Sequence, residues 1–320
     1  MRHMTSLKAS VAALFGLLAA GAAQAQVSVD GLESVGKPVD KLMGWQPAVT
    51  ELADDIHWLD GMLLVIITVI TLFVVALLAI VALRYNSRSN PTPAKFTHNT
   101  PIEVTWTIVP IIILLFIGAF SLPVLFKQQE IPDGEITIKA TGYQWYWGYE
   151  YVDAGVPGVE PSSISFDSYM VGHPATLTPE DNAAGATEYV NSDAMAGVLA
   201  RYGYKPDEFL LATDQAIVIP TGKIVVVQVT AADVIHSWTI PAFGVKQDGV
   251  PGRLAELWFE VAEGKEGIYF GQCSELCGKD HAYMPITVKA VTQEQYEDWL
   301  NRASLEYAGK PINVTVAAAE

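Results

Sequence analysis

The sequence predicts a two-helix transmembrane hairpin followed by an all-β sandwich with Greek-key connections, held outside the cytoplasm. Three observations predict it. Two uncharged stretches of 23 residues lie between Asp60 and Arg84 and between Glu103 and Lys127. From Glu135 onward the apolar residues alternate, the period of strands rather than helices. The net charge of −16 belongs entirely to residues 128–320, where 27 acids face 11 bases, while the first 127 residues hold 8 of each.

Composition narrows the function. A chain of 320 residues allows roughly two domains. It is 51% hydrophobic and only 17% charged, against about 25% charged in ordinary globular chains. That excludes a disordered protein, and the acidic excess would be repelled by a phosphate backbone, which excludes nucleic acid as a partner. Two cysteines are too few for a disulfide-stapled scaffold. The acidic exported part calls for a basic partner rather than an anionic lipid surface.

Residues 1–25 read as a secretory signal: Arg2 and Lys8 at the start, an apolar run from Val11 to Ala23, and Ala23-Gln24-Ala25 before Gln26. Residues 26–57 form an external N-terminal segment. The hairpin occupies 58–127, with spans at about 61–83 and 104–126. Each span reaches ~35 Å, enough for a hydrocarbon core of about 30 Å. The loop 84–103 carries Arg84, Arg88 and Lys95 with no acid before Glu103, which places it in the cytoplasm. Pro110 and Pro123 are tolerable where neighbouring helices satisfy the freed carbonyls. A two-helix hairpin buries little alone and should pack in the bilayer against larger membrane subunits. At its second helix Thr100 reads as the N-cap, with Pro101 following and Glu103 reaching back to the Thr100 amide. An ionisable group at the edge of a span can instead feed a proton path, so Glu103 carries both readings.

The exported domain is 128–320. Ile136, Ile138 and Ala140 alternate with Thr137 and Lys139, and Lys223 to Thr230 is rich in β-branched residues. Shorter runs near 235–240, 254–261, 266–271 and 285–291 complete a sandwich of short strands. Residues 153–210, rich in Gly, Pro, Ser and acids, read as a surface insertion. A closing helix at about 292–307 opens on a capping box at Thr292–Gln295 and lines up Tyr296, Trp299, Leu300, Ala303 and Tyr307. Tyr143, Trp145, Trp147, Tyr149 and Tyr151 alternate, and such a row fills one face of a core.

Between the last two strands the segment Gly271 to Met284 sets Cys273, Cys277, His281 and Met284 at C-x3-C-x3-H-x2-M. Upstream, His236 stands at a predicted strand start. Thiolate, imidazole and thioether are soft ligands suited to copper. Two sulfurs can bridge two copper ions, each with one histidine, Met284 and a backbone carbonyl being weaker ligands. A disulfide would leave His236, His281 and Met284 unexplained, and one tetrahedral zinc would leave Met284 without a role.

Together with Gly142-Tyr-Gln-Trp-Tyr-Trp-Gly148, His236-Ser-Trp238 and Asp248-Gly-Val-Pro-Gly-Arg253, this loop makes the chain resemble subunit II of bacterial cytochrome c oxidases over nearly its full length. The resemblance implies a cupredoxin-like CuA domain. His236, Cys273, Cys277, His281 and Met284 would ligate two copper ions by side chain, and Glu275 by its carbonyl. The Glu275 carboxylate would reach a magnesium or manganese ion shared with subunit I. Trp145 would receive electrons from cytochrome c, with Glu150 and Asp233 on the acidic docking face, and Glu103 would mark the mouth of a proton channel. The implied setting is the bacterial inner membrane with the C-terminal domain in the periplasm. A membrane-anchored copper carrier is the rival reading, since it needs neither the aromatic patch nor the acidic face. A quinol oxidase subunit typically lacks these ligands, and a nitrous-oxide reductase needs a large further domain.

Overall fold

The computed structural model describes Val29 and residues 31–308. The expected signal segment lies outside the described residues. After a short strand β1 (Ser34–Gly36) come two long helices, α1 (Glu51–Arg84) and α2 (Thr100–Gln129). Both are long and apolar enough to cross a membrane, and the most apolar stretch of each is unburied within the chain, although the two helices touch through Trp58 and Phe120, ring centres 5.7 Å apart. Such a surface is stable only in lipid or against other membrane subunits.

Each helix outruns its apolar stretch. In α1 the Thr50 side chain accepts from the Ala53 amide, so the helix begins ahead of the apolar stretch and its first turns carry Glu51, Asp54 and Asp55. The start of α2 corrects the sequence expectation. Asn99, not Thr100, is the N-cap: its side chain accepts from the Ile102 amide at 3.3 Å, and Glu103 reaches back to the Asn99 amide at 2.9 Å. Asparagine caps at least as well as threonine, and the box slides one residue toward the N-terminus.

The exported part is a two-layer sandwich. Strands β2 (Ile136–Tyr143), β3 (Tyr146–Asp153), β4 (Ser165–Ser168), β5 (Ile217–Pro220), β6 (Ile224–Ala231), β7 (His236–Ile240), β8 (Val245–Gly249), β9 (Ala255–Glu260), β10 (Gly267–Gln272) and β11 (Pro285–Val291) follow in order. One sheet runs β4-β3-β2-β6-β9 and the other β1-β10-β11-β5, with β7 and β8 forming a separate ribbon. The parallel pairs β2–β6 and β5–β11 require the chain to cross between sheets rather than turn back in hairpins. Trp147, Tyr149, Tyr151, Trp238, Phe243, Phe259 and Tyr269 fill the space between the sheets.

Residues 153–210 are more than a surface loop. They supply β4, α3 (Pro179–Ala183) and α4 (Asp193–Arg201). Val171, Met195, Val198 and Leu199 join Leu211 and Phe270 in a second buried cluster against β10. The small apolar residues are too sparsely spaced among Gly and Pro to show a period in sequence. The closing helix α5 (Gln293–Ala308) starts with Thr292 and Gln295 exchanging backbone amide bonds at 3.1 and 3.3 Å. Its Tyr296, Trp299, Leu300 and Ala303 are buried.

The sandwich is bonded to the hairpin near the membrane-distal ends of both long helices. Thr50 Oγ1 donates to the Phe243 carbonyl at 2.7 Å, and the Trp258 indole donates to the Lys127 carbonyl at 3.2 Å. Lys127 Nζ lies 2.6 Å from Glu51 and 2.7 Å from Asp55, tying the end of α2 to the start of α1. These contacts fix the orientation of the sandwich on the hairpin.

Candidate metal centre

At the end of the sandwich, the loop from β10 to β11 folds against the start of β7. Gly271 allows this approach, for a Cβ there would lie 1.8 Å from the Thr239 carbonyl oxygen. The Ser274 amide donates to the Ser237 carbonyl at 3.0 Å and the Cys273 amide to the Met284 carbonyl at 3.3 Å, closing the loop on both strands.

All six of the sequence-predicted ligand residues meet there. Cys273 Sγ and Cys277 Sγ are 3.9 Å apart and unbonded, almost twice the length of a disulfide. His236 Nδ1 is 3.8 Å from Cys273 Sγ, and His281 Nδ1 is 3.4 Å from Cys277 Sγ. Met284 Sδ lies 3.4 Å from Cys277 Sγ, and the Glu275 carbonyl 3.3 Å from Cys273 Sγ. The ligand atoms of His236, Cys273 and Cys277 all lie within 4.8 Å of one another, and the three residues are buried. Burial, with the Cys273 sulfur beside it, pushes the Cys277 thiol up to about 12. The raised Cys277 thiol resists ionisation until a cation offsets the charge, which is what a metal site of this kind presents. The donors are soft, and the set fits copper.

Surrounding groups orient the ligands. His236 Nε2 lies 2.9 Å from Asp233 Oδ1, which leaves Nδ1 for the sulfur side. Burial raises the Asp233 carboxyl, but bonds from His236 and from the Val234 and Gln144 amides outweigh it and hold the group below its usual range. Gly142 faces the His236 ring so closely that a Cβ would lie 2.7 Å from it. The Cys277 carbonyl accepts from Gln144 Nε2 at 2.7 Å and from the Trp145 indole at 3.2 Å. Trp145 thus touches the ligand loop directly. The roles of Gln144 and Gly142 were not read from the sequence, although both sit in the quoted Gly142–Gly148 motif.

Other predicted residues are distributed differently. The row of five alternating aromatics divides at the hairpin turn. Trp147, Tyr149 and Tyr151 are in the core, whereas Tyr143 and Trp145 are half-exposed. Glu150 lies four residues along β3 from Tyr146, roughly 13 Å, and faces Lys139 at 3.4 Å, so its charge is partly offset. A bond from Ser162, against some burial, and Lys139 beyond it hold its carboxyl below the usual range. Glu275 is exposed, only its carbonyl turning to the sulfurs. Glu103 stands at the far end of the hairpin, away from the cluster.

The chain is similar to several known proteins. The family described as "Cytochrome C oxidase subunit II, periplasmic domain" matches residues 136–291, and its transmembrane-domain counterpart matches 38–124. Cytochrome c oxidase subunit 2 of Cereibacter sphaeroides is 56% identical over 95% of this chain and 93% of its own length. A probable cytochrome c oxidase subunit 2 of Rickettsia bellii is 40% identical over 82% of this chain and 85% of its own. The crystal structure of the periplasmic domain of subunit II from Bradyrhizobium japonicum is 40% identical, covering 56% of this chain and 99% of that one, with a TM-score of 0.40. Two membrane-capable helices, a cupredoxin-like sandwich and a soft-donor cluster at its tip therefore come together in one assignment: the chain belongs to the subunit II family of the cytochrome c oxidases, a copper-binding component of a terminal oxidase complex.

Proposed function

We propose that this chain is the electron inlet of its oxidase, taking electrons from cytochrome c and delivering them to haem in subunit I, where dioxygen is reduced to water with proton pumping. The observation that carries this reading is the pair of unbonded sulfurs 3.9 Å apart, each with an imidazole Nδ1 beside it. His236, Cys273, Cys277, His281, Met284 and the Glu275 carbonyl would hold two copper ions as a CuA centre. Bound there, two copper ions would supply a one-electron store.

The chain's own residues do the rest. Trp145 joins the surface to the Cys277 carbonyl through its indole N–H, a short bonded route from a docked partner to the cluster. The acidic domain steers a basic cytochrome c, faster at low salt. Asp233 lies at that surface while it orients His236, and Glu150 adds a partly neutralised charge further along the sheet. The exposed Glu275 carboxylate would reach a magnesium or manganese ion at the subunit I boundary, hard oxygen suiting either. Glu103, half-exposed at the opposite end of the hairpin, would serve as a proton-channel mouth while also closing the first turn of α2. The setting proposed is the bacterial inner membrane, with the sandwich in the periplasm.

The test uses the intact oxidase. Copper analysis and the paramagnetic spectrum should give two copper ions per chain beyond those of subunit I, with one unpaired electron shared over both. Trp145→Gln should keep that spectrum and slow electron uptake sharply. A single isolated copper, bound zinc, or undiminished turnover in Trp145→Gln overturns the reading, the last in favour of a copper carrier.

A further inference from the structure

Between β1 and α1 the chain leaves the sandwich, descends beside the first long helix and returns. We propose that residues 38–46 are an interfacial anchor, seated in the outer leaflet of a zwitterionic phospholipid bilayer next to the first span. The anchor requires only that the two long helices cross the membrane, and it is independent of the electron inlet.

The connection is held at the sandwich by both ends. β1 pairs with β10 as far as Gly36, and Thr50, at the head of α1, is bonded to the Phe243 carbonyl. In between, Trp45 stacks on His57, ring centres 6.0 Å apart and 22° from parallel. His57 stands six residues after Glu51, the first residue of α1, which is ~9 Å along the helix axis toward the span. Three residues further comes Asp60, the last charge before the apolar stretch. Trp45 and the exposed Trp58 therefore lie within about one helical turn of that stretch. Tryptophan gathers at this level in membrane proteins, its ring apolar and its N–H wet.

Exposure sets the segment apart from the rest of the exported surface. Val39, Leu42, Met43 and Trp45 are all more than half exposed, Met43 at 98%. Across residues 130–308 the exposed large apolar side chains are Val190, Ile235, Leu254, Leu276 and Leu305, scattered singly as on any soluble surface. Four within seven residues make a patch. A tight turn gathers them: the Leu42 amide donates to the Val39 carbonyl at 3.1 Å, with Lys41 at a φ of 62°. The patch borders a helix whose next turns are themselves apolar and exposed, so one lipid phase covers both.

Charge selects the lipid. Asp40 and Lys41 sum to zero and lie 3.8 Å apart, while Lys37 is paired with Asp207 at 2.6 Å. The segment thus offers no free cation to an anionic headgroup. Glu51 and Asp54, in the first turn of α1, would repel such a headgroup and attract the ammonium of a zwitterionic one.

The experiment reads the depth of one label in the intact oxidase. Met43→Cys replaces a side chain that is 98% exposed, so packing is left intact. The new thiol is labelled with an environment-sensitive fluorophore; Cys273 and Cys277 are buried, and the parent oxidase treated alike gives the background. The labelled complex is reconstituted in phosphatidylcholine vesicles whose acyl chains carry bromine either near the headgroup or near the methyl end. Bromine near the headgroup should reduce the emission about twofold or more, since an interfacial segment sits ~5–10 Å into the boundary between headgroups and chains. Bromine at the methyl ends should reduce it less. Emission quenched by aqueous iodide and by neither lipid would put the segment in solvent, and emission insensitive to all three would put it under another subunit. Either result overturns the anchor, and stronger quenching from the methyl ends overturns its interfacial depth.

Discussion

The Asp233 carboxylate holds His236 by Nε2 at 2.9 Å, and the opposite ring nitrogen, Nδ1, faces Cys273 Sγ at 3.8 Å. The second oxygen of Asp233 accepts from the Gln144 amide at 2.7 Å, in the turn that carries Trp145. One side chain thus fixes a ligand's tautomer and braces the aromatic tip. Replacing such an outer partner commonly costs 10–100-fold in metal affinity. Asp233→Asn should therefore lower copper affinity by about that factor while the domain stays folded. Competition against a copper chelator measures it, and an unaltered affinity would show that the His236 ring is held by packing alone.

Two glycines make contrasting predictions. A Cβ at Gly142 would meet the His236 ring at 2.7 Å, so Gly142→Ala should displace one ligand and impair copper binding more than folding. At Gly271 the clash is with backbone, at 1.8 Å from the Thr239 oxygen, and no side chain can move aside. Gly271→Ala should destabilise the sandwich by about 3 kcal/mol or more, within the range for severe overpacking. Circular dichroism with copper titration distinguishes the two outcomes.

How much of this was legible in the sequence depended on whether the information was local. Cys273, Cys277, His281 and Met284 lie within twelve residues, and their spacing alone indicated a soft-metal loop. The spans were equally plain, because 23 uncharged residues leave few alternatives. The Gln144 bond to the Cys277 carbonyl joins residues 133 apart, and no periodicity encodes it. The parallel pairing of β1 with β10 was missed because three residues of mixed polarity carry no strand signal, and the pairing supplies what they lack. The insertion looked irregular for a similar reason: its core residues come singly between turns and find each other only in three dimensions.

Lys127 bridges Glu51 and Asp55 at the mouth of the hairpin, but Glu51 is 78% exposed there. Exposed pairs contribute little, and the two carboxylates are screened by water. Lys127→Met should therefore cost less than about 1 kcal/mol in thermal unfolding of the intact complex, and the loss should shrink further in high salt. A loss of several kcal/mol would mean that assembly buries this bridge against another subunit.

Asp214 carries the pH dependence of the insertion's attachment. Its Oδ1 accepts from the Tyr169 amide at 2.7 Å and from the Gln215 amide at 2.8 Å. Burial pushes the carboxyl up to about 7, the two amide bonds opposing it and the like charge of Asp167 adding to it. An unfolded aspartate ionises near pH 4, so between about pH 4 and pH 7 the unfolded chain sheds its proton while the folded chain keeps it. The folded state then binds more protons, and its stability falls as pH rises through that window. The full cost by pH 8 is at most about 4 kcal/mol, and less to the extent that solvent reaches the group. Asparagine keeps the accepting oxygen for both amides and carries no charge. Asp214→Asn should therefore leave the exported domain more stable by about 1–4 kcal/mol at pH 8, with the difference disappearing toward pH 4. Urea midpoints of the two proteins at pH 4, 6 and 8 check the sign. A variant less stable than the parent at pH 8 would mean that the ionised carboxylate, not the neutral acid, is the form the fold prefers.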